Sequence, residues 1–129
     1  MPAYDAARFD PPAPLAQVTL RNLDTGAVWS DVPMLLDSGA DVSLVPQAAT
    51  SALEVEAIPD ARYELEGFDG STSFAPAVRL SLVFCGRAFR GQFLLIDQEW
   101  GILGRNVLNA IPLLFDGPHL TWDEHRSGS

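Results

Sequence analysis

Short apolar stretches separated by glycine- and proline-containing breaks run the length of the chain. Between residues 15 and 23, Leu15, Val18, Leu20 and Leu23 sit among polar residues; Asp24-Thr25-Gly26 follows with turn composition, and residues 27–32 resume an extended pattern. This predicts a hairpin. Pro33-Met34-Leu35-Leu36 is a continuous apolar run that leads into Asp37-Ser38-Gly39-Ala40-Asp41, and residues 42–45 are apolar-rich again. A polar loop between two buried strands is the expectation. Residues 46–53 are rich in alanine and predict one or two helical turns, with Pro59 ending the region.

The second half continues in the same manner. Residues 62–65 and 71–74 flank Gly67-Phe68-Asp69-Gly70, which predicts a hairpin with a glycine-hinged tip carrying one aromatic ring. Val78, Leu80, Leu82 and Phe84 alternate with Arg79, Ser81 and Val83, the period of a strand, and residues 88–96 supply its partner across Gly86-Arg87. Ile102-Leu103-Gly104 reads as a short buried strand, residues 105–111 as a helix closed by Pro112, and residues 113–122 as a last hairpin around Asp116-Gly117-Pro118. The predicted class is all-β, in one domain over residues 15–125. Residues 1–14 hold four prolines and little pattern and read as an extended arm or lead-in; residues 126–129 read as a tail.

Composition narrows the function classes. With 47% apolar residues in 129, the chain can bury a core. Its net charge is −9, from 17 acidic and 8 basic residues, and every basic residue is arginine. No basic run is visible along the sequence, which speaks against nucleic acid and against anionic membrane surfaces as partners. The single cysteine, Cys85, closes no disulfide within the chain and builds no paired-thiolate metal site. Its setting in Leu82-Val83-Phe84-Cys85 reads as a small buried residue. His119 and His125 have no cysteine or third histidine nearby, so neither a metal nor a cofactor is expected. The sequence has no basic-then-apolar leader and no apolar stretch approaching the roughly 18–20 residues of a membrane span, which predicts a cytoplasmic location. Trp29, Trp100 and Trp122 read as core or interface packing.

Asp37-Ser38-Gly39 is the candidate for chemistry. Alone it is the composition of an Asx-turn. Its apolar flanks on both sides distinguish it, since a surface turn needs no buried strands leading in and out. The second signal is Ile102-Leu103-Gly104-Arg105-Asn106-Val107-Leu108-Asn109 near the C-terminal end. Together these resemble the retroviral-protease-like aspartic peptidases (the retropepsin-like family). That family has a hydrophobic-hydrophobic-Asp-Thr/Ser-Gly-Ala loop, then a glycine-containing flap hairpin, then an Ile-Leu-Gly-Arg-Asp/Asn element. The resemblance covers about residues 18–122, and cellular and bacterial members fit as well as viral ones.

The resemblance implies a closed-barrel-like acid-protease half with a flap, one short C-terminal helix and an active site shared by a homodimer. It makes Asp37 the catalytic carboxylate and Ser38, Gly39 and Ala40 the active-site loop. It assigns Asp41 to substrate binding and to a pair with Arg105, although a solvated loop charge is an equal reading of Asp41. Arg105 and Asn106 become structural support, and Gly67, Phe68, Asp69 and Gly70 the substrate-covering flap tip. Phe68 reads equally as an exposed turn aromatic. Leu65, Phe74, Val78 and Ile111 are the candidates for apolar pocket walls.

Such chemistry holds a water between two carboxylates, one acting as base while the other polarises the scissile carbonyl. The chain has one Asp-Ser-Gly. The second carboxylate is therefore expected from a second copy across a two-fold axis, with a seam at the C-terminal hairpin around residues 119–122. Ala40 has no hydroxyl to stabilise the ionised pair, which predicts activity at mildly acidic to near-neutral pH. The expected substrate is a peptide or protein. The alternatives are a dimeric peptide-binding or scaffolding module of the same fold without catalysis, and a metal-assisted hydrolase using Asp37 and Asp41.

Overall fold

The computed structural model describes residues 1–66 and 70–125. Its strands are β1 (Tyr4–Asp5), β2 (Ala13–Arg21), β3 (Val28–Leu36), β4 (Leu44–Pro46), β5 (Arg62–Glu66), β6 (Thr72–Phe84), β7 (Arg87–Ile96), β8 (Gly101–Leu103), β9 (Leu113–Asp116) and β10 (Thr121–Glu124). Two short helices, α1 (Gln47–Ala52) and α2 (Arg105–Leu108), follow β4 and β8. The fold is all-β, as the alternation predicts.

The main sheet closes on itself. β2 pairs antiparallel with β3, β3 parallel with β8, β8 antiparallel with β4, β4 parallel with β7, and β7 antiparallel with β6. Residues 81–83 of β6 then pair antiparallel with residues 19–21 of β2, which completes the ring. Closure buries alternate side chains inside. Val18, Leu20, Val32, Met34, Leu36, Val78, Leu80, Leu82, Phe84, Phe93 and Leu103 form the buried core with Val107 and Trp122. Each large side chain removed from water contributes roughly 1.5–3 kcal/mol. A second, smaller cluster of Leu44, Ala75, Ala77 and Leu94 packs with Val42, Ile58, Leu65 and Ile102. β6 thus serves both clusters, turning Ala75 and Ala77 to one and Val78, Leu80 and Leu82 to the other.

Several boundaries differ from the sequence expectation, each for a local reason. From Val28 onward, the extended run 27–32 and the apolar run 33–36 form one strand, β3, with Pro33 opposite Gln17. An extra residue is absorbed by a bulge. Val18 faces Val32 while Leu20 faces Trp29, and Asp31 takes a left-handed φ of 58°. The β6–β7 turn is Cys85-Gly86, one residue earlier than expected, with φ of 51° and 73°. A two-residue turn with both φ positive matches the twist of the flanking strands. It also leaves Cys85 half-buried in a turn and not buried in a strand. Helix α2 stops after Leu108; residues 109–111 continue as tight turns before Pro112. Trp29 is 49% exposed, whereas Trp122 packs on Phe84 in the core with ring centroids 6.0 Å apart.

The proline-rich arm is tied down. Tyr4 and Asp5 pair with Pro14 and Ala13, and Ala3 bridges to Thr121. The Tyr4 N–H donates to the Leu120 carbonyl at 2.7 Å and the Trp122 N–H to the Pro2 carbonyl at 3.0 Å. Arg8 bonds Asp5 at 2.6 Å and Glu99 at 2.7 Å. The Arg8 backbone N–H, ahead of its guanidinium, holds the Asp5 carboxyl below the usual carboxylate range. Prolines hide the strand signal here because they break the alternation that identifies a strand.

Candidate active site

In the sheet, β8 lies between β3 and β4. The chain leaving β3 must therefore cross the C-terminal end of β8 to reach β4. The crossing segment is residues 37–43, the loop singled out in the sequence. Backbone bonds fix it at both ends. The Asp37 N–H donates to the Leu103 carbonyl at 3.0 Å, and the Arg105 N–H donates to the Ala40 carbonyl at 2.8 Å. Within the loop, the Ala40 N–H donates to the Asp37 carbonyl at 3.1 Å.

The crossing is close enough to require glycine at position 104. A Cβ there would collide with the Val42 carbonyl oxygen and lie 2.6 Å from the Val42 carbonyl carbon and 2.9 Å from the Ala40 oxygen. All three are backbone atoms of the loop, which has no room to yield. Ser43 locks the same junction. Its buried hydroxyl accepts the Gly104 N–H at 2.9 Å and donates to Asn106 Oδ1 at 2.7 Å.

The Asp37 side chain is half-buried, while Ser38, Gly39 and Asp41 are exposed. Oδ1 of Asp37 accepts the Gly39 N–H at 3.0 Å. A Cβ on Gly39 would sit 3.2 Å from that oxygen, so glycine keeps the approach open. One carboxylate oxygen is thus held by the backbone, and the other makes no hydrogen bond among the described residues.

Arg105 departs from the expected arrangement. Its Nη1 donates to the Ser38 carbonyl at 2.7 Å, and no ion pair joins it to Asp41. A fixed loop carbonyl offers Arg105 a better acceptor than an exposed carboxylate, whose pairing in water gains little. Asn106 reaches the loop through Ser43, as above.

A groove of about 340 Å³ runs beside the loop, lined by Asp41, Val42 and Ser43 on one side and by Tyr63, Leu65, Gln92 and Leu94 on the other. The Tyr63 hydroxyl donates to Gln92 Oε1 at 2.8 Å across its wall. The groove includes Asp41 and stops short of Asp37. Of the expected apolar walls, Leu65 lines it, and Phe74 lines a neighbouring recess. Val78 and Ile111 do not line it: they are buried at 0% and 5% exposure in the core. Gly70 has φ 79° and is exposed. Gly67, Phe68 and Asp69 lie outside the described residues.

Three contributors are absent from the sequence reading: Ser43, Tyr63 and Gln92. Ser43 had a signal, as the lone hydroxyl in the apolar run 42–45. Tyr63 and Gln92 had none, because they meet only through the pairing of β5 and β7 with β6. Among the described residues, no cluster of three His, Cys, Asp or Glu side chains could hold a metal ion, and no helix is long and apolar enough to cross a membrane.

No protein-family model and no curated protein matches the sequence. Among solved structures, the chain is similar to a retroviral protease, the EIAV protease complexed with the inhibitor HBY-793. Identity is 23% and the TM-score 0.57, over 76% of this chain and 86% of that chain. At that identity the likeness is one of fold. The barrel closed by β6 on β2, with the Asp37 loop crossing β8, is a retropepsin-like fold.

Proposed function

We propose that the protein is an aspartic endopeptidase whose active site forms between the Asp37 carboxylates of two copies. The observation that carries this reading is the Asp37 loop itself. A half-buried carboxylate is held by Gly39 with one oxygen free, in a crossing braced by Gly104, Ser43 and Arg105. The chain has one such loop.

In the proposed reaction, one Asp37 is ionised and takes a proton from the bound water, while its twin is protonated and donates to the scissile carbonyl oxygen. Water oxygen attacks the carbonyl carbon, and the proton passes to the leaving amine as the C–N bond breaks. Two carboxylates about 3 Å apart share one proton, since both cannot ionise cheaply. The groove beside Asp41 suits an extended peptide or protein segment, with Leu65 and Leu94 as apolar contacts and Tyr63 and Gln92 as polar ones. Asp41 then acts on substrate, without Arg105 as its partner. The residues 67–70 hairpin tip is the proposed cover.

For the seam between copies, β9 is a better choice than β10. Both edges of β10 are taken, one by β9 and the other by residues 2–4. β9 pairs with β10 alone among the described residues and leaves Leu114 and Phe115 51% and 47% exposed. The single cysteine, Cys85, closes no disulfide within the chain, which fits a cytoplasmic setting.

Asp37→Asn should lower the cleavage rate of apolar peptides by at least ~10³-fold, with the folded dimer retained by sedimentation. Cleavage by the variant at near the wild-type rate would sink the reading. A wild-type dimer that binds such peptides and cleaves none over a broad pH range would make the protein a binding module. Because Ala40 offers no hydroxyl to an ionised pair, the pH–rate profile should peak at mildly acidic to near-neutral pH. Activity confined to strongly acidic solution would contradict that.

A further inference from the structure

The barrel end remote from Asp37 gathers positive charge. Arg21 on β2 pairs in register with Ser81 on β6, and Ser81 pairs with Arg90 on β7. Arg79 lies two residues along β6, on the same face as Ser81. Adjacent strands are ~4.8 Å apart, which puts the Arg21 and Arg90 backbones ~10 Å from one another with Ser81 between them. These three arginines and Ser81 line one concavity of about 360 Å³, completed by Leu23, Val83 and Ala88. The site is at the Val28 end of β3, since Arg21 pairs with Val28. It is separated from Asp37 by the length of that strand, ~25 Å.

What distinguishes the cluster is that none of its guanidiniums is in an ion pair among the described residues, although Arg79 also borders a neighbouring recess with Asp24, Glu54 and Glu56. Among the arginines with described side chains, Arg8 bonds Asp5 and Glu99, Arg87 bonds the Ala110 carbonyl, and Arg105 bonds the Ser38 carbonyl. The guanidiniums of Arg21, Arg79 and Arg90 make no hydrogen bond or ion pair among the described residues. A chain with 17 acidic residues has ample means to neutralise them. Instead the fold places all three unpartnered guanidiniums around one recess. Ser81, only 3% exposed, adds a hydroxyl without a protein partner among those residues.

We propose that this recess is a binding site for a small phosphate monoester. Guanidinium forks match phosphate oxygens in geometry as well as charge. Three of them balance a dianion better than a single carboxylate. Leu23 and Val83 give the organic part of the ester an apolar contact. Three cations on a chain of net charge −9 are too few for the multiple phosphate contacts of a nucleic acid.

The test uses the full-length protein and three probes at matched ionic strength in chloride: phenyl phosphate, inorganic phosphate and benzoate. Arginine Nε–Hε resonances report binding. Phenyl phosphate should shift the Arg21, Arg79 and Arg90 signals saturably, with weaker binding of inorganic phosphate and the weakest of benzoate. Arg21→Gln, Arg79→Gln and Arg90→Gln should each weaken phenyl phosphate roughly tenfold, by loss of a charged hydrogen bond. Arg8→Gln, whose native partners are carboxylates, should leave the affinity unchanged. Absence of a saturable shift overturns the proposal, as does equal binding of benzoate. Equal binding of inorganic phosphate overturns the ester assignment. An unchanged affinity in all three arginine variants overturns the location.

Discussion

The two ends of one barrel treat arginine in opposite ways. At the Asp37 end, Arg105 gives its guanidinium to the Ser38 carbonyl and its backbone N–H to the Ala40 carbonyl, so the charge is used to hold a loop. At the far end, the guanidiniums of Arg21, Arg79 and Arg90 hold nothing among the described residues and face a shared recess. The first arrangement depends on backbone crossing backbone, at a distance where only glycine fits. The second depends on strand register, which brings three side chains distant in sequence onto one face. The first fixes a loop by backbone contacts, and the second leaves three cationic side chains around one recess.

The largest effect should come from breaking the crossing. Gly104→Ala forces a Cβ against the Val42 and Ala40 backbone, and should cost roughly 2–4 kcal/mol of stability with loss of any Asp37-dependent activity. Urea unfolding at wild-type stability would mean that the loop can move aside. Ser43→Ala should cost about 1–3 kcal/mol, because it leaves the Gly104 N–H and Asn106 without their buried partner. Ser43→Thr would restore the hydroxyl but adds a methyl to a buried position, so the alanine and threonine variants separate hydrogen bonding from packing. If the alanine variant unfolds as the wild type does, the Ser43 bridge contributes nothing.

The comparison itself is tested by a matched pair at lower magnitude. Arg105→Gln should destabilise the free protein by about 1 kcal/mol, through loss of the bond to Ser38. Arg90→Gln should be neutral or stabilising by a few tenths of a kcal/mol at low salt, since it removes repulsion among like charges. Thermal unfolding at low and high salt decides it. Equal losses in both variants would erase the contrast between the two ends.

How much was legible follows from the same contrast. The Asp37 loop could be read because its determinants are contiguous: apolar residues, Asp-Ser-Gly-Ala-Asp, apolar residues again, and Leu-Gly-Arg-Asn further on. The hairpins could be read because turns and alternation are local properties. The arm over residues 1–14 could not, since its strand is only two residues long, its prolines erase the alternation, and its bridge at Ala3 reaches the distant Thr121. The expected Asp41–Arg105 pair failed for a related reason. A sequence names the charges but does not say which of several nearby acceptors a long side chain will reach, and here a carbonyl competes with a carboxylate.

By itself, then, the amino-acid sequence determined an all-β chain with one carboxylate in a glycine-bearing loop between buried strands. It also showed arginines scattered at positions 21, 79 and 90, in a chain with no visible basic run. Only the tertiary structure decided that β8 lies between β3 and β4, so that the loop crosses at Gly104 and Ser43 locks it. It alone gathered the three arginines into one recess. The physical reason is that strand pairing is a long-range choice, made by closing the barrel over Leu20, Met34, Leu80, Leu82 and Leu103. No local pattern records which outward-facing residues that closure will bring side by side.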